Sequence, residues 1–316
     1  MPSAFGAAAG VINPVTGRWM TKTWNFDQLL PEAVKTYRAI EQKFDIQVYH
    51  PIPEIRFCHN AEDLKRVGKR MRNPRYQDVL SHMAATGEAA PEFNDDFGTF
   101  HINQAAYVDL PLVVHTLRAS FATLGRFRDE TFLHSELKPG TTGWQYRNLH
   151  ADKVIFCEGA AMKDNPWFKN LPLKPAKGET LLCHSPTLRL PQKLYHHKKW
   201  FLPYPDGNFR IGATYDESDL SDAPTQAKKD ELLTAAHEAL KKPHQVDVSA
   251  HLAGIRPSTI DSRPIIGAHP NNLGLYLVNG LGSKGASTAP TMTQQLTNYI
   301  LKKSPIEDEV SLTRFY

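Results

Sequence analysis

The segment LYLVNGLGSKGASTAP (275–290) decides how this chain is read. Apolar, strand-prone sequence from Leu275 to Asn279 runs into Gly280, Leu281, Gly282, Ser283, Lys284 and Gly285, and a helix-compatible stretch follows. Strand, G-x-G-x-x-G, helix is the context in which this motif binds a ligand. Glycine lets backbone approach a ligand closely, and the unpaired N–H groups at a helix start favour negative charge. A dinucleotide unit would continue into a second strand, but only Ser304–Tyr316 follow the helix, with Pro305 at the break. The acidic residues at 307–309 stand about where a ribose-binding acid falls, yet they precede the last short segment and end no strand. The loop is therefore expected to offer N–H groups to another electron-rich ligand atom. The alternative is a glycine-rich turn that packs a terminal helix.

Working outward, DKVIFCEG (152–159) reads as a second buried strand closed by Gly159. ETLLCH, KWFLP and NFRIGAT between 179 and 213 read as antiparallel strands, the last two joined by the turn at 205–208. Helical spacing marks 27–44, with Pro31 placed in a first turn, then 61–72, then 105–125 entered through Pro111 and ended by Gly125. A polar helix follows Asp222 and Pro224 to about Lys242, and the terminal helix runs to about Lys303. Parallel-type and hairpin strands in one chain imply a mixed α/β fold with two sheets.

The 316 residues suffice for about two domains, and 41% hydrophobic with 22% charged content supplies a core. No run spans a bilayer, and the first residues lack the basic start and apolar run of a secretory leader. The net charge of +4 does not by itself imply nucleic acid. Cys58, Cys157 and Cys183 are odd in number and far apart, which argues against disulfides or a cysteine zinc site and suits a reducing cytoplasm. Cys157 is expected to be a buried, inert thiol. The 14 histidines show no metal-ligand spacing, and His196-His197 is expected on a solvated strand edge.

Seven stretches carry a resemblance in their wording, order and separation: AAAGVINP (7–14), AAYVDLPLVVHTLRA (105–119), DKVIFCEGAA (152–161), LPLKPAKGETL (171–181), NFRIGATYD (208–216), AGIRPSTIDSRPIIG (253–267) and GLGSKGASTAP (280–290). Together they resemble the FAD-dependent oxidoreductases of the D-amino-acid oxidase superfamily, both the glycine and sarcosine oxidase type and the FAD module of a tRNA wobble-uridine-modifying enzyme. The resemblance implies a Rossmann-like FAD sheet from 1–25, 100–175 and 255–316, interleaved with an antiparallel substrate sheet from 26–99 and 176–254. The family opens with a strand, a G-x-G-x-x-G turn and a helix that hold the ADP half of FAD, and this sequence begins at the element that follows. That departure implies a fragment or truncated frame, or an ADP half held otherwise or not at all.

The resemblance also implies roles. Arg256 of G-I-R-P would grip a substrate carboxylate through two parallel hydrogen bonds; the alternative is an Arg pinning the next loop through Asp261 or a backbone carbonyl. Gly280 to Ser287, including Ala286, would face the flavin pyrimidine, with Lys284 adding charge or simply lying in solvent. Ser283 stands where glycine oxidase-like proteins carry a second substrate-binding Arg. Ala4, Phe5, Ala9, Gly10 and Val11 would touch the flavin, Gly159 would close the FAD-sheet strand, and Phe132 would meet the adenine through its backbone. Trp200 would line the substrate pocket or be a buried residue of the sheet. The basic runs at 64–75 and 192–200 would meet tRNA or be solvated faces. Three functions remain open: oxidation of an amine or amino-acid C–N bond with FAD, oxidative removal of a carboxymethyl group from a tRNA base, and a cofactor-less remnant.

Overall fold

Strand Ala176–His184 (β4) is buried almost throughout and anchors the largest sheet. With Glu54–Phe57 (β1), Leu80–Ala84 (β2), Thr99–Ile102 (β3), Leu194–His196 (β5), Trp200–Pro203 (β6), Asn208–Gly212 (β7) and Asp247–Arg256 (β8) it forms eight strands, ordered β8-β4-β7-β6-β5-β1-β3-β2. Only the β5–β1 pair is parallel. These are features of a computed structural model that describes residues 4–316; residues 1–3 of the expected first segment lie outside them.

Alternation along a strand sends successive side chains to opposite faces. One face carries Leu181, Cys183, Phe201, Phe209 and Ile211 and packs on Leu232, Ala236 and Ala239 of helix Gln226–Ala239. Thr225 starts that helix by accepting from the Lys228 amide. The other face is made of Ala176, Gly178 and Thr180, paired with Arg256, Gly254 and Gly212 respectively, and Gly212 pairs again with Trp200. This second face has little side-chain bulk, and the N-terminal segment lies on it.

A smaller sheet carries the glycine loop. Val154–Phe156 runs parallel to Leu275–Asn279, which is antiparallel to Ile265–Ala268. Among the described residues Val154–Phe156 pairs on one side only, so Ile155 is half exposed where a fully buried strand was expected. Cys157, the next residue, is likewise exposed, which corrects its reading as a buried thiol. The terminal helix Gly285–Lys302 packs against helix Phe26–Phe44, whose buried Phe26, Leu29, Ala33 and Tyr37 share one helical face. Tyr37 donates to the Ala286 carbonyl at 2.8 Å. That helix starts at Phe26, so Pro31 falls past its first turn.

His197 corrects another expectation. Its ring packs edge-on against Phe57 at 5.2 Å and His59 at 4.6 Å, and burial lowers its pKa to about 4. His196 sits 3.3 Å from the fully buried Glu54 carboxylate. Neither is a loosely solvated edge residue. No helix among the described residues is long and apolar enough to cross a membrane.

Candidate active site

Asn279 ends its strand buried, and its side chain ties two turns together. The amide nitrogen donates to the Gly159 carbonyl at 2.9 Å, and the oxygen accepts from the Gly280 amide at 2.8 Å. Gly280 and Gly282 have φ of +72° and +54°, a region that other residues rarely adopt. A Cβ at Gly280 would stand 2.7 Å from Thr259 and 3.1 Å from the Arg263 carbonyl, and the Gly282 amide donates to Pro257 at 3.2 Å. A Cβ at Gly159 would stand 3.9 Å from the ring of the same Pro257. Stretches more than a hundred residues apart thus meet at the residue after Arg256.

The helix that follows is uncapped. Lys284 occupies the cap position without a side-chain bond, and among the described residues the amides of Ser283, Gly285 and Ala286 donate to no protein acceptor. Ser287 turns inward to the Lys284 carbonyl at 3.0 Å. Among the described residues the Lys284 ammonium has no carboxylate within ion-pair distance, and burial followed by repulsion from Arg263 pushes its pKa below the ordinary lysine value. Arg263 itself lies 4.7 Å from the Trp24 ring centre. Between Trp24, Ser258, Ser262 and the Gly280–Lys284 loop is a cleft of about 150 Å³. Arg256 does not line it. Donors without acceptors, a helix start and an unpaired ammonium suit an electron-rich carbonyl such as that of a flavin pyrimidine ring.

Arg256 ends β8 on the sparse face of the large sheet. Its guanidinium lies directly over Gly178, where a Cβ would fall 2.0–2.4 Å from the guanidinium atoms. It donates to the Lys177 carbonyl at 3.2 Å and the Thr214 carbonyl at 3.1 Å, and the Tyr215 ring centre is 5.7 Å away. Asp261 instead pairs with Arg314 at 3.0 Å. Among the described residues no carboxylate neutralises Arg256, and burial holds its pKa below that of a free guanidinium. Two carbonyls leave donors of a five-donor group free for an anion.

The N-terminal segment covers this face. Ala4 and Ala7 lie against Gly254, Thr180 donates to the Ala7 carbonyl at 3.3 Å, and Arg210 donates to that of Ala8 at 3.0 Å. Ala9 and Val11 pack into the cluster that includes Leu202 and Trp200. The Trp200 ring crosses Gly212, where a Cβ would meet it at 2.6 Å. Trp200 and Arg256 therefore share one sheet face, with Thr180 and Ala7 between their strands. Phe5 packs on His115 at 6.0 Å and Arg118 at 5.3 Å, both on helix Leu110–Thr123. Gly10 is required by a chain crossing: a Cβ there would lie in contact with the Val108 carbonyl, at a φ of +64°.

Phe132 lies in another place. Its half-exposed ring stacks on Tyr146 at 4.3 Å and lines a separate, mostly apolar cleft of about 350 Å³ with Trp144 and Val154. The sequence reading overlooked Gly178, Tyr215, Lys177 and Glu179. The signal for the first was a glycine inside a strand, which often marks close approach of another group. For the last two it was a pair of charges alternating into an otherwise apolar sheet face.

A family profile described as FAD dependent oxidoreductase matches residues 2–299. The chain belongs to that family. A glycine oxidase of Pseudomonas aeruginosa is 28% identical over 217 residues, covering 66% of this chain and 59% of that protein. A tRNA 5-methylaminomethyl-2-thiouridine biosynthesis bifunctional protein of Marinobacter nauticus is 30% identical over 173 residues, 50% of this chain and 27% of that protein. The match spans 59% and 64% of the length of two curated glycine oxidases. Among solved structures, glycine oxidase from Geobacillus kaustophilus superposes with a TM-score of 0.84 at 20% identity, covering 99% of this chain and 89% of that one. Iminodiacetate oxidase from Chelativorans sp. BNC1 gives 0.80 at 22% identity, covering 98% and 90%. Both establish the shared fold.

Proposed function

We propose that this protein oxidises a C–N bond of a small amine or amino acid that carries a carboxylate, with FAD as the electron acceptor. The observation that carries the reading is Arg256: a half-buried guanidinium, unpaired with any carboxylate among the described residues, laid over a side-chain-free patch on the face that also bears Trp200. A carboxylate placed on its free donors gains bidentate, charge-assisted bonds in a partly dry setting. Gripping that end fixes the direction of the substrate's Cα–H, and orientation of this kind is a main source of rate enhancement. FAD, when bound, supplies the hydride acceptor. The amides of Ser283, Gly285 and Ala286, with Lys284, would hold its electron-rich ring edge, and Ala4, Phe5, Ala9, Gly10, Val11 and Gly159 would border it. Trp200 would exclude water from one side of the substrate. Ser283 cannot supply a second guanidinium, so carboxylate binding rests on Arg256. The free cysteines suit a cytoplasmic protein.

The test is purified protein titrated with FAD, followed by anaerobic bleaching of the flavin band with small amino acids. Bleaching should be lost in Arg256→Ala. Bleaching that survives unchanged in that variant would remove Arg256 from this role.

A second reading, action on a carboxymethylated tRNA base, draws on one surface. Lys65, Lys69, Arg72 and Arg75 are exposed and have no acidic partner among the described residues, and beside them Arg18 and Arg66 flank the exposed Trp19 ring at 4.7 and 5.0 Å. Cations around an exposed aromatic suit a nucleic-acid strand. Steeply salt-dependent tRNA binding would favour this reading.

A further inference from the structure

We propose that Lys177 is a positioning residue for Arg256, acting through the segment 214–225; the inference rests on Arg256 being the carboxylate anchor. Gly178 and its two neighbours on β4 divide the work between the faces of the sheet. Gly178 lies under the guanidinium, while Lys177 and Glu179 project to the opposite face, both about 1% exposed. There the Lys177 ammonium meets Asp219 at 2.6 Å, Ser221 at 3.0 Å, the Ala223 carbonyl at 2.5 Å and Glu179 at 3.4 Å. Glu179 accepts from the Thr225 amide at 2.9 Å and lies 2.8 Å from His251.

These bonds wind residues 216–225 around one buried ammonium. The near end of the same segment supplies the Thr214 carbonyl and the Tyr215 ring to Arg256. Main-chain bonds between Lys177 and Asp216, at 2.7 and 3.0 Å, complete the link. Lys177 thus fixes Arg256 from two directions: through its own carbonyl, and through a loop that its ammonium holds closed. A buried cation costs solvation, and its cluster is complete only when the loop is folded onto it. Nothing in the packing of the apolar face calls for a charge at position 177.

The test uses the full chain with FAD and glycolate, a carboxylate that has no C–N bond to oxidise. Asp219→Asn removes one charge at the loop surface, Lys177→Met removes the ammonium, and Lys177→Arg keeps it. Two quantities are read: the order of the Arg256 Nε–H bond by NMR relaxation, assigned with Arg256→Lys, and the glycolate Kd by calorimetry. The first two variants should disorder Arg256 and weaken glycolate about tenfold, as loss of one charge-assisted hydrogen bond does, and Lys177→Arg should restore both. If Lys177→Met does not fold, Asp219→Asn decides the matter. Arg256 order and glycolate affinity both unchanged in Asp219→Asn would overturn the inference, as would disorder without loss of affinity. Wild-type protein that ignores glycolate counts against the proposed function alone, because the relaxation data still report whether Lys177 holds Arg256.

Discussion

Gly178→Ala separates the position of Arg256 from the stability of the sheet around it. Gly178 lies in a conformation open to any L-residue, and the three atoms nearest an added Cβ all belong to the Arg256 guanidinium, at 2.0, 2.3 and 2.4 Å. Ordinary carbon contacts begin near 3.5 Å, so the guanidinium must withdraw by about 1 Å or more. It then loses its bonds of 3.2 and 3.1 Å to Lys177 and Thr214. Hydrogen bonds from a charged group are worth about 1.5–3 kcal/mol each, and part of this returns when the displaced head meets water. Alanine regains roughly 0.5–1 kcal/mol over glycine within a strand. Folding stability should therefore change by only about 1 kcal/mol. Carboxylate affinity should fall about 10–100-fold, since losing a charge-assisted hydrogen bond of about 1.5–3 kcal/mol costs on that order. Urea denaturation measures the first quantity and glycolate calorimetry the second. A Gly178→Ala protein that binds glycolate within about twofold of wild type would refute the placement of the anchor.

Gly10→Ala should abolish soluble folded protein or cost about 3 kcal/mol or more, because backbone at Val108 blocks the new carbon and φ is positive; circular dichroism melts decide it. Gly68→Ala should do the opposite, raising stability by about 0.5–1 kcal/mol in urea, because it sits within helix Ala61–Met71 with only the Arg72 side chain nearby. His197 titrates near pH 4 when folded against about 6.5 unfolded, so between those values the unfolded chain binds the extra proton and stability falls as pH drops. His197→Gln should reduce the loss of stability between pH 7 and pH 4, and equal losses in both proteins would refute the assignment. Lys65→Glu with Lys69→Glu should lower any tRNA affinity and flatten its salt dependence by about one unit per lost phosphate contact.

The parts of the fold that were legible are those whose chemistry is local. Leu275–Asn279 is apolar and bounded by glycines whose positive φ the motif itself requires, so strand and loop could be placed to the residue. The turn at 205–208 likewise carries its own glycine at φ +84°. What escaped depends on pairing between distant segments. Whether Ile155 and Cys157 are covered depends on how many strands join Val154–Phe156, which its three apolar residues cannot specify. His197 is buried because Phe57 and His59 arrive from another part of the chain. The site shows the same division. The wording around Arg256 picks out the residue, but its resting place over Gly178 follows from the register between β4 and β8, which no short stretch encodes.

The paired glycines at 178 and 254 leave a gap in the sheet that the Arg256 guanidinium fills over the first and Ala4 and Ala7 over the second. The consequence concerns the two alanines themselves. Enlarging either side chain presses on Gly254, two strand residues from Arg256, so growth at position 4 or 7 shifts the anchor without touching its own hydrogen bonds.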